Sequence, residues 1–383
     1  MKVLVVKMSS MGDIVHAQPL VADIRCNVPH AVVDWVCEAS FQAIPALNPA
    51  VSQVIPLSWR RWRKRLGEPA TQEAMRAFRD RLRATTYDWV IDCQGLIKSA
   101  VVARMAHARR RAGLSWSSAR EPLASLAYDV RARVPWDRHV VARNRLVAAA
   151  ALGYRVDGPP EFGLRVPPLE ADWLDVGPDR EHRGAPGSRP GGVPGAGPGR
   201  GLRPAARGDY VVMIPGASRV QKLWPEPHWI EIGQDLLARG AGLVWLWGNP
   251  DELARVRRLA AACAPVHDAA PLLDAGRAET LDTSVRQGDA GTTTGARSVV
   301  PPFLGVADAA GLLAGARGVV GLDTGLTHLG AALGRPTIGI FCDFDAVQCA
   351  VTGDGFCASF GGVGVVPPVS DIRAAIADGA LAT

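Results

Sequence analysis

Ser9-Ser10-Met11-Gly12-Asp13 follows an apolar run and leads at once into helix-forming sequence, which sets a carboxylate at the mouth of a first strand. Gly12 permits a tight turn there, and free backbone N–H groups at a helix start suit anions. The stretch is not G-x-G-x-x-G, so a nicotinamide site has little support. Asp13 has two readings: it caps the helix and meets its dipole, or it stands over a cleft as a functional carboxylate. Ser58 to Arg65 reads SWRRWRKR, five basic residues and two Trp with no acid. That is either a solvated charged face or a surface for nucleic acid, an anionic sugar or lipid. Lys98, Arg120, Arg138, His139 and Arg143 fall in the same half.

In the second half, PGASRVQKLWPEPHW offers the Ser218 hydroxyl and the Lys222 charge before a helix starting near Pro225, where proline is expected. WGNPDE puts Glu252 in the first turn after a strand, where an acid can accept hydrogen bonds from ribose hydroxyls. Gly321-Leu322-Asp323-Thr324-Gly325-Leu326-Thr327-His328 is a strand, a tight turn and a hydroxyl-rich helix start. Thr324, Gly325 and the amides beyond can cradle a diphosphate. Asp323 would repel phosphate, so it is expected to cap the helix or grip neutral sugar hydroxyls. His328 is either a packing histidine or a ligand contact. Asp343-Phe344-Asp345 mimics a D-x-D metal pair, but its place after a strand in an acidic half predicts a solvated loop.

These residues need elements to hold them. Strands are predicted at 3–6, 32–36, 51–57 and 88–92, with helices at 13–27, 71–84 and 97–107. The second half repeats the alternation, with strands at 210–215, 242–248, 318–322 and 337–341 and helices at 226–238, 251–262, 308–315 and 326–333. Near-continuously apolar strands alternating with helices predict an α/β fold of parallel sheets covered on both faces. Residues 177–208 hold ten Gly and six Pro, a composition that cannot bury enough apolar surface to offset its ordering entropy. The expected division is therefore 1–174, a linker over 175–208, and 209–383, with a surface insertion at about 268–300. Two such domains enclose a cleft at the carboxyl ends of their sheets.

Composition bounds the function. The 383 residues are 48% hydrophobic and 21% charged, the average of soluble globular chains. No run approaches the ~18 apolar residues of a membrane-spanning helix. The run between Lys2 and Lys7 is too short for a signal-peptide core, so the cytoplasm is the expected compartment. Seven scattered cysteines, never in C-x-x-C spacing, argue against a disulfide framework or a zinc site. Residues 1–174 carry 25 Lys and Arg against 16 Asp and Glu, a net of +9; residues 209–383 carry 12 against 18, a net of −6. One half is built to meet something anionic.

The stretches KVLVVKMSSMGDIVHAQP, IPLSWRRWRK, YDWVIDCQGLIKSA, AREPLASLAY, KLWPEPHW and VVGLDTGLTHLGAALGRPT together resemble the lipopolysaccharide heptosyltransferases. SWRRWRK and AREPLASL single out the heptosyltransferase I group. The resemblance implies a GT-B glycosyltransferase of two Rossmann-like domains facing across a cleft, with no cofactor and no catalytic metal. It implies inverting transfer of L-glycero-D-manno-heptose from ADP-heptose to 3-deoxy-D-manno-octulosonic acid (Kdo) of Kdo2-lipid A. By position, Asp13 matches the family's base. Ser218, Lys222, Glu252, Asp323, Thr324, Gly325 and His328 match its donor-binding positions, with Lys222 placed to stabilise the leaving ADP. Arg60, Arg61, Arg63, Lys64, Lys98 and Arg120 fall where the family meets its acidic acceptor. Ala217 departs from the family, standing where a second hydroxyl is usual, and no function is carried onto the tail after Cys342.

A lipid acceptor without a spanning helix implies peripheral attachment to the anionic cytoplasmic face of the inner membrane. The rivals are a heptosyltransferase of another core sugar, a nucleotide-sugar epimerase on the same fold, and a non-catalytic basic protein binding membrane or nucleic acid. The nucleotide-type site of the second half speaks against the last, and no nucleic-acid partner is expected.

Overall fold

The apolar runs become strands buried on both faces, as a parallel sheet flanked by helices requires. The computed structural model describes residues 1–174, 208–270 and 298–380. Its first unit holds β1 (Lys2–Val6), β2 (Val32–Glu38), β3 (Val51–Leu57), β4 (Thr86–Asp92), β5 (His107–Leu114) and β6 (Val130–Ala132). They form a six-stranded sheet of order β3-β2-β1-β4-β5-β6 with every neighbour parallel. The second unit holds β7 (Tyr210–Ile214), β8 (Gly242–Trp245), β9 (Val266–Asp268), β10 (Ser298–Val300), β11 (Gly318–Leu322), β12 (Thr337–Phe341) and β13 (Cys357–Gly361). These make a seven-stranded parallel sheet of order β13-β12-β11-β7-β8-β10-β9. Two Rossmann-like sheets are thus present, as expected.

Each sheet reverses its strand order beside its first strand, between β1 and β4 and between β7 and β11. At such a switch point the connections depart in opposite directions and open a crevice beyond the carboxyl ends. The segments leaving these four strands carry Asp13, Lys98, Lys222 and Thr324. One apolar cluster runs from Val3, Val5 and Ile14 of the first unit to Val319 and Leu329 of the second, so the two sheets share a core.

Several boundaries differ from expectation. The predicted helix 13–27 is two helices, Met11–His16 and Pro19–Asn27, because Pro19 lacks an N–H and fits a helix start rather than an interior. The predicted insertion at 268–300 is too wide. Val299 and Val300 of β10 are buried between β8 and β9, and Trp245 Nε1 donates to Ser298 Oγ at 3.0 Å. Residues 271–297 of that insertion and 175–207 of the linker lie outside the described residues. The tail contributes structure: β13 extends the sheet, and Trp224 Nε1 donates to the Pro367 carbonyl at 2.9 Å ahead of the helix Val369–Ala375.

No helix among the described residues is long and apolar enough to cross a membrane. All seven cysteines are free thiols.

Candidate active site between the two sheets

Asp13 sits in the first turn of the helix Met11–His16, directly beyond β1. Its Oδ2 accepts hydrogen bonds from the Ser10 N–H (2.9 Å) and the Ser10 hydroxyl (2.8 Å). Its Oδ1 lies 3.4 Å from Lys7 Nζ. One oxygen thus ties down the turn, as the capping reading expects, while the side chain stays 40% exposed at the cleft. Enclosure at the cleft floor raises the Asp13 carboxyl, but the Lys7 ammonium and the Ser10 hydrogen bonds outweigh it and hold it below the usual carboxylate value. Lys7 is buried and also donates to the Cys93 carbonyl beyond β4, at 3.1 Å. It ties the two segments that flank the first switch point.

Two cavities meet at Asp13. One, of about 450 Å³, lies in the basic unit and is lined by Lys7, Asp13, Lys98, Arg120, Arg138 and Arg143 among others. The second, of about 760 Å³, lies between the units and is lined by Asp13, Ser218, Lys222, Glu252, Asp323, Thr324, Gly325 and His328. Every predicted donor-side residue lines this one cavity. Arg120 lines both.

Within the second cavity, Lys222 Nζ pairs with Asp323 Oδ2 at 2.5 Å, and Asp323 Oδ1 accepts from His328 Nε2 at 3.1 Å. Asp323 does not cap the helix, contrary to one expectation. The N-cap is Thr324, without a side-chain cap bond, so the first N–H groups of the helix Gly325–Ala332 remain available to an anion. Burial raises the Asp323 carboxyl, but the contacts with His328 and Lys222 outweigh it and keep it low. The Phe344 ring lies 5.7 Å from Lys222 Nζ. On the opposite wall Glu252 Oε2 accepts the Gly248 N–H at 2.7 Å. A β-carbon on Gly216 would come 2.6 Å from Glu252 Cδ, so the missing side chain makes room for this carboxylate.

Two helix starts, one from each unit, meet across the interface. A β-carbon on Gly325 would lie 2.5 Å from Met11 Cγ. Behind this contact the His16 ring packs edge-on against His328 at 4.3 Å and lies 6.1 Å from His139. His139 Nε2 bonds the Ala350 carbonyl across the interface at 3.0 Å, and its Nδ1 accepts the Val141 N–H, a neutral tautomer. His16 Nε2 and His328 Nδ1 are buried without a hydrogen-bond partner among the described residues. Burial, then the neighbouring His328, His139 and Lys7, push His16 well below the usual imidazole value.

The run 58–65 is placed differently. Arg60, Arg61, Arg63 and Lys64 are exposed on and after the short helix Trp59–Trp62, outside the walls of both cavities. Its tryptophans are not stacking platforms: Trp62 is buried against Phe78 at 5.6 Å, and Trp59 packs against the same core. The nucleic-acid reading loses its aromatic support. Asp343 pairs with Arg219 at 3.3 Å and Asp345 caps the helix Ala346–Cys349 by accepting the Val347 N–H, so both acids of the D-x-D stretch are engaged. Among the described residues no group of three or more His, Cys, Asp or Glu is arranged to hold a metal ion.

Sequence reasoning missed Lys7, His16, Phe344 and Cys349, all cavity-lining. Lys7 carried one usable signal, a charge ending a fully apolar strand. The assembled site sets an ionised carboxylate at the junction of a cationic cavity and a nucleotide-type cavity. It can take a proton from a hydroxyl on one side while a leaving anion meets Lys222 and the helix start on the other.

The family model for glycosyltransferase family 9 (heptosyltransferase) matches residues 75–274 and 272–354. The chain is 37% identical to lipopolysaccharide heptosyltransferase 1 of Pseudomonas aeruginosa over 342 residues, 89% of this chain and 78% of that protein. Among solved structures, the Escherichia coli heptosyltransferase WaaC with ADP aligns with a TM-score of 0.74 at 31% identity, covering 99% of each chain. The same enzyme with ADP-2-deoxy-2-fluoro heptose aligns with a TM-score of 0.71 at 30% identity, again covering 99% of each.

Proposed function

Because the chain belongs to glycosyltransferase family 9, the heptosyltransferases, we propose that it transfers L-glycero-D-manno-heptose from ADP-heptose to Kdo of Kdo2-lipid A in lipopolysaccharide core assembly. The transfer inverts the anomeric centre and uses neither metal nor cofactor. One observation carries the reading: Asp13 lines both the basic cavity and the nucleotide-type cavity. An inverting displacement needs a base on the face opposite the leaving group, and this carboxylate stands between the two substrates' places.

The chemistry follows from the side chains present. The acceptor's carboxylates and phosphates meet Lys98, Arg120 and Arg138. ADP meets Ser218 and the helix start at Thr324 and Gly325, and its ribose hydroxyls meet Glu252. As the anomeric C–O bond breaks, the sugar takes on oxocarbenium character and charge grows on the departing diphosphate. Lys222 has three donors, so it can keep Asp323 and still donate to that diphosphate. Asp13 accepts the acceptor's hydroxyl proton late, once bond formation has made it acidic, so a low-lying carboxyl suffices as base.

Metal independence rests on the same groups. Lys222 and the uncapped helix start supply the positive field that a metal supplies in metal-dependent transferases. The first unit's net positive charge favours peripheral binding to the anionic cytoplasmic face of the inner membrane.

The test is incubation of the purified protein with ADP-heptose and Kdo2-lipid A, with and without EDTA. The expected result is ADP release and a product heavier by one heptose, of inverted anomeric configuration, at equal rates in both arms. Transfer only to a longer core acceptor would move the protein to another step. Conversion of donor without acceptor would make it an epimerase, and loss with EDTA restored by magnesium would return Asp343 and Asp345 as ligands.

A further inference from the structure

Phe344 stands at the junction of the two cavities. Among the described residues, only Ser10, Asp13, Arg120, Val140, Cys349 and this phenylalanine line both. It is the one aromatic ring of that shared wall. Core packing does not explain its place: the ring is half-buried but belongs to none of the three apolar clusters among the described residues. Lys222 Nζ lies over its face, 5.7 Å from the ring centre, a cation–π contact that orients the ring beside the amine.

The neighbours of Phe344 hold its backbone in place. The Cys342 carbonyl accepts the Gly364 N–H at 3.2 Å. Asp343 pairs with Arg219 at 3.3 Å, and Asp345 accepts the Val347 N–H at 2.8 Å. The D-x-D stretch thus uses both carboxylates to fix its own loop and presents the residue between them to the cleft. That position coincides with the path of the transferred sugar. The donor's diphosphate is placed by Lys222 and the helix start at Gly325, and its anomeric carbon must reach an acceptor hydroxyl beside Asp13. A sugar joining those two points crosses the cavity junction against the Phe344 ring. The ring offers the sugar's C–H face a large apolar contact without competing for its hydroxyls. It also displaces water, the nucleophile that rivals the acceptor at an oxocarbenium-like carbon.

We propose that Phe344 contacts the heptosyl group itself, as an apolar wall that positions it and keeps water from the anomeric carbon. In the reaction it suppresses, a water oxygen bonds to that carbon as the C–O bond to the diphosphate breaks. The electron pair leaves on ADP and the water proton passes to Asp13. The products are free heptose and ADP, so a leak is read as ADP formed in excess of heptose transferred. The inference rests on the ADP-heptose donor of the preceding reading and deepens it.

The test compares the native full chain with Phe344→Ala and Phe344→Leu, with melting temperature as the check of fold. Calorimetry uses ADP and ADP-2-deoxy-2-fluoro heptose, whose difference reports the sugar contact. The alanine variant should keep the native affinity for ADP and lose about tenfold for the analogue, the share of one aromatic contact. The leucine variant keeps apolar bulk and should lose less. With ADP-heptose and Kdo2-lipid A, the native chain should form ADP and product in equal amounts. The alanine variant should form more ADP than product, with free heptose making up the difference. Unchanged affinity of the alanine variant for the analogue overturns the proposal. So does an equal loss for ADP and analogue, which would make Phe344 a prop for Lys222. Equal ADP and product in the alanine variant, or a leucine variant as leaky as alanine, overturns the wall against water. A native chain that binds the analogue but transfers nothing to Kdo2-lipid A sinks the acceptor reading alone, and calorimetry still decides Phe344. A native chain that binds ADP but not the analogue sinks the donor reading and this inference with it.

Discussion

Lys7 Nζ lies 3.4 Å from Asp13 Oδ1, joining a lysine side chain 6% exposed to a carboxylate 40% exposed. The lysine biases the carboxylate toward its ionised form, the form a base must have, and leaves its other side open. Lys7→Met keeps the apolar stem and removes the charge. The Asp13 carboxyl should then rise, moving the acid limb of the pH profile of kcat/KM to higher pH. An unmoved limb would leave Ser10 as the group that holds Asp13 ionised. Asp13→Asn retains an acceptor for the Ser10 N–H, so fold and ADP binding should persist while turnover falls by roughly 10²–10⁴. Near-normal turnover would reduce Asp13 to a helix cap.

Lys222→Met should cut turnover by roughly 10²–10³, the typical loss when one preorganised donor to a developing anion is removed. Asp323 keeps its bond to His328 but loses its cationic partner in a largely buried place, so the melting temperature should fall as well. Single-turnover kinetics separate the outcomes: a rise in KM alone, with chemistry intact, would contradict the assigned role.

Glu252→Ala removes the acceptor of the Gly248 N–H and of the ribose hydroxyls. Losing a hydrogen bond to a charged group costs roughly 1.5–3 kcal/mol, so ADP binding by calorimetry should weaken by about 10- to 100-fold while acceptor binding holds. Gly216→Ala should produce a similar loss without touching the carboxylate chemically, because its β-carbon displaces Glu252. Unchanged ADP affinity in both variants would take Glu252 out of the donor site.

The buried His16 predicts acid sensitivity. Its folded pKa is well below the unfolded 6.5, and that of His139 is also lowered, by burial first and then His328 against an opposing bond to Ala350. Below pH 6.5 the unfolded chain binds protons that the folded chain refuses, so stability drops as pH falls through that window, before the carboxylates titrate. The melting temperature should decline between pH 7 and 5.5 in native protein, and less steeply in His16→Phe. Equal slopes would assign the decline to other groups.

The two-sheet architecture, and the turns whose residues line the second cavity, were legible because both depend on local signals. Apolar runs of strand length mark the sheets, and turn-plus-hydroxyl stretches such as Asp323-Thr324-Gly325 mark where strands meet helices. β5 was illegible for the opposite reason. Its sequence HARRRAGL reads as a solvated run, yet Arg110 stacks over Trp89 at 4.7 Å and Arg111 donates to the Ala103 and Ala106 carbonyls. The Lys7–Asp13 and Lys222–Asp323–His328 pairings were illegible because tertiary approach alone creates them. Lys222 and Asp323 are 101 positions apart. SWRRWRKR misled through its tryptophans: the 3.6-residue period turns Trp62 into the core while its basic neighbours remain outside.

The contact of Gly325 with Met11 sits where a pivot between the two sheets would have to sit if one turned over the other. A rigid body turning about a fixed point moves in proportion to distance from it, and this point lies two residues from Asp13 and one from Thr324. Any rotation of one sheet over the other that kept this contact would move the outer rims of the cleft most. The gap between Asp13 and the helix start at Thr324 would change least. A β-carbon on Gly325 would force the Met11 side chain or the two helix starts to shift, next to Asp13 and Thr324.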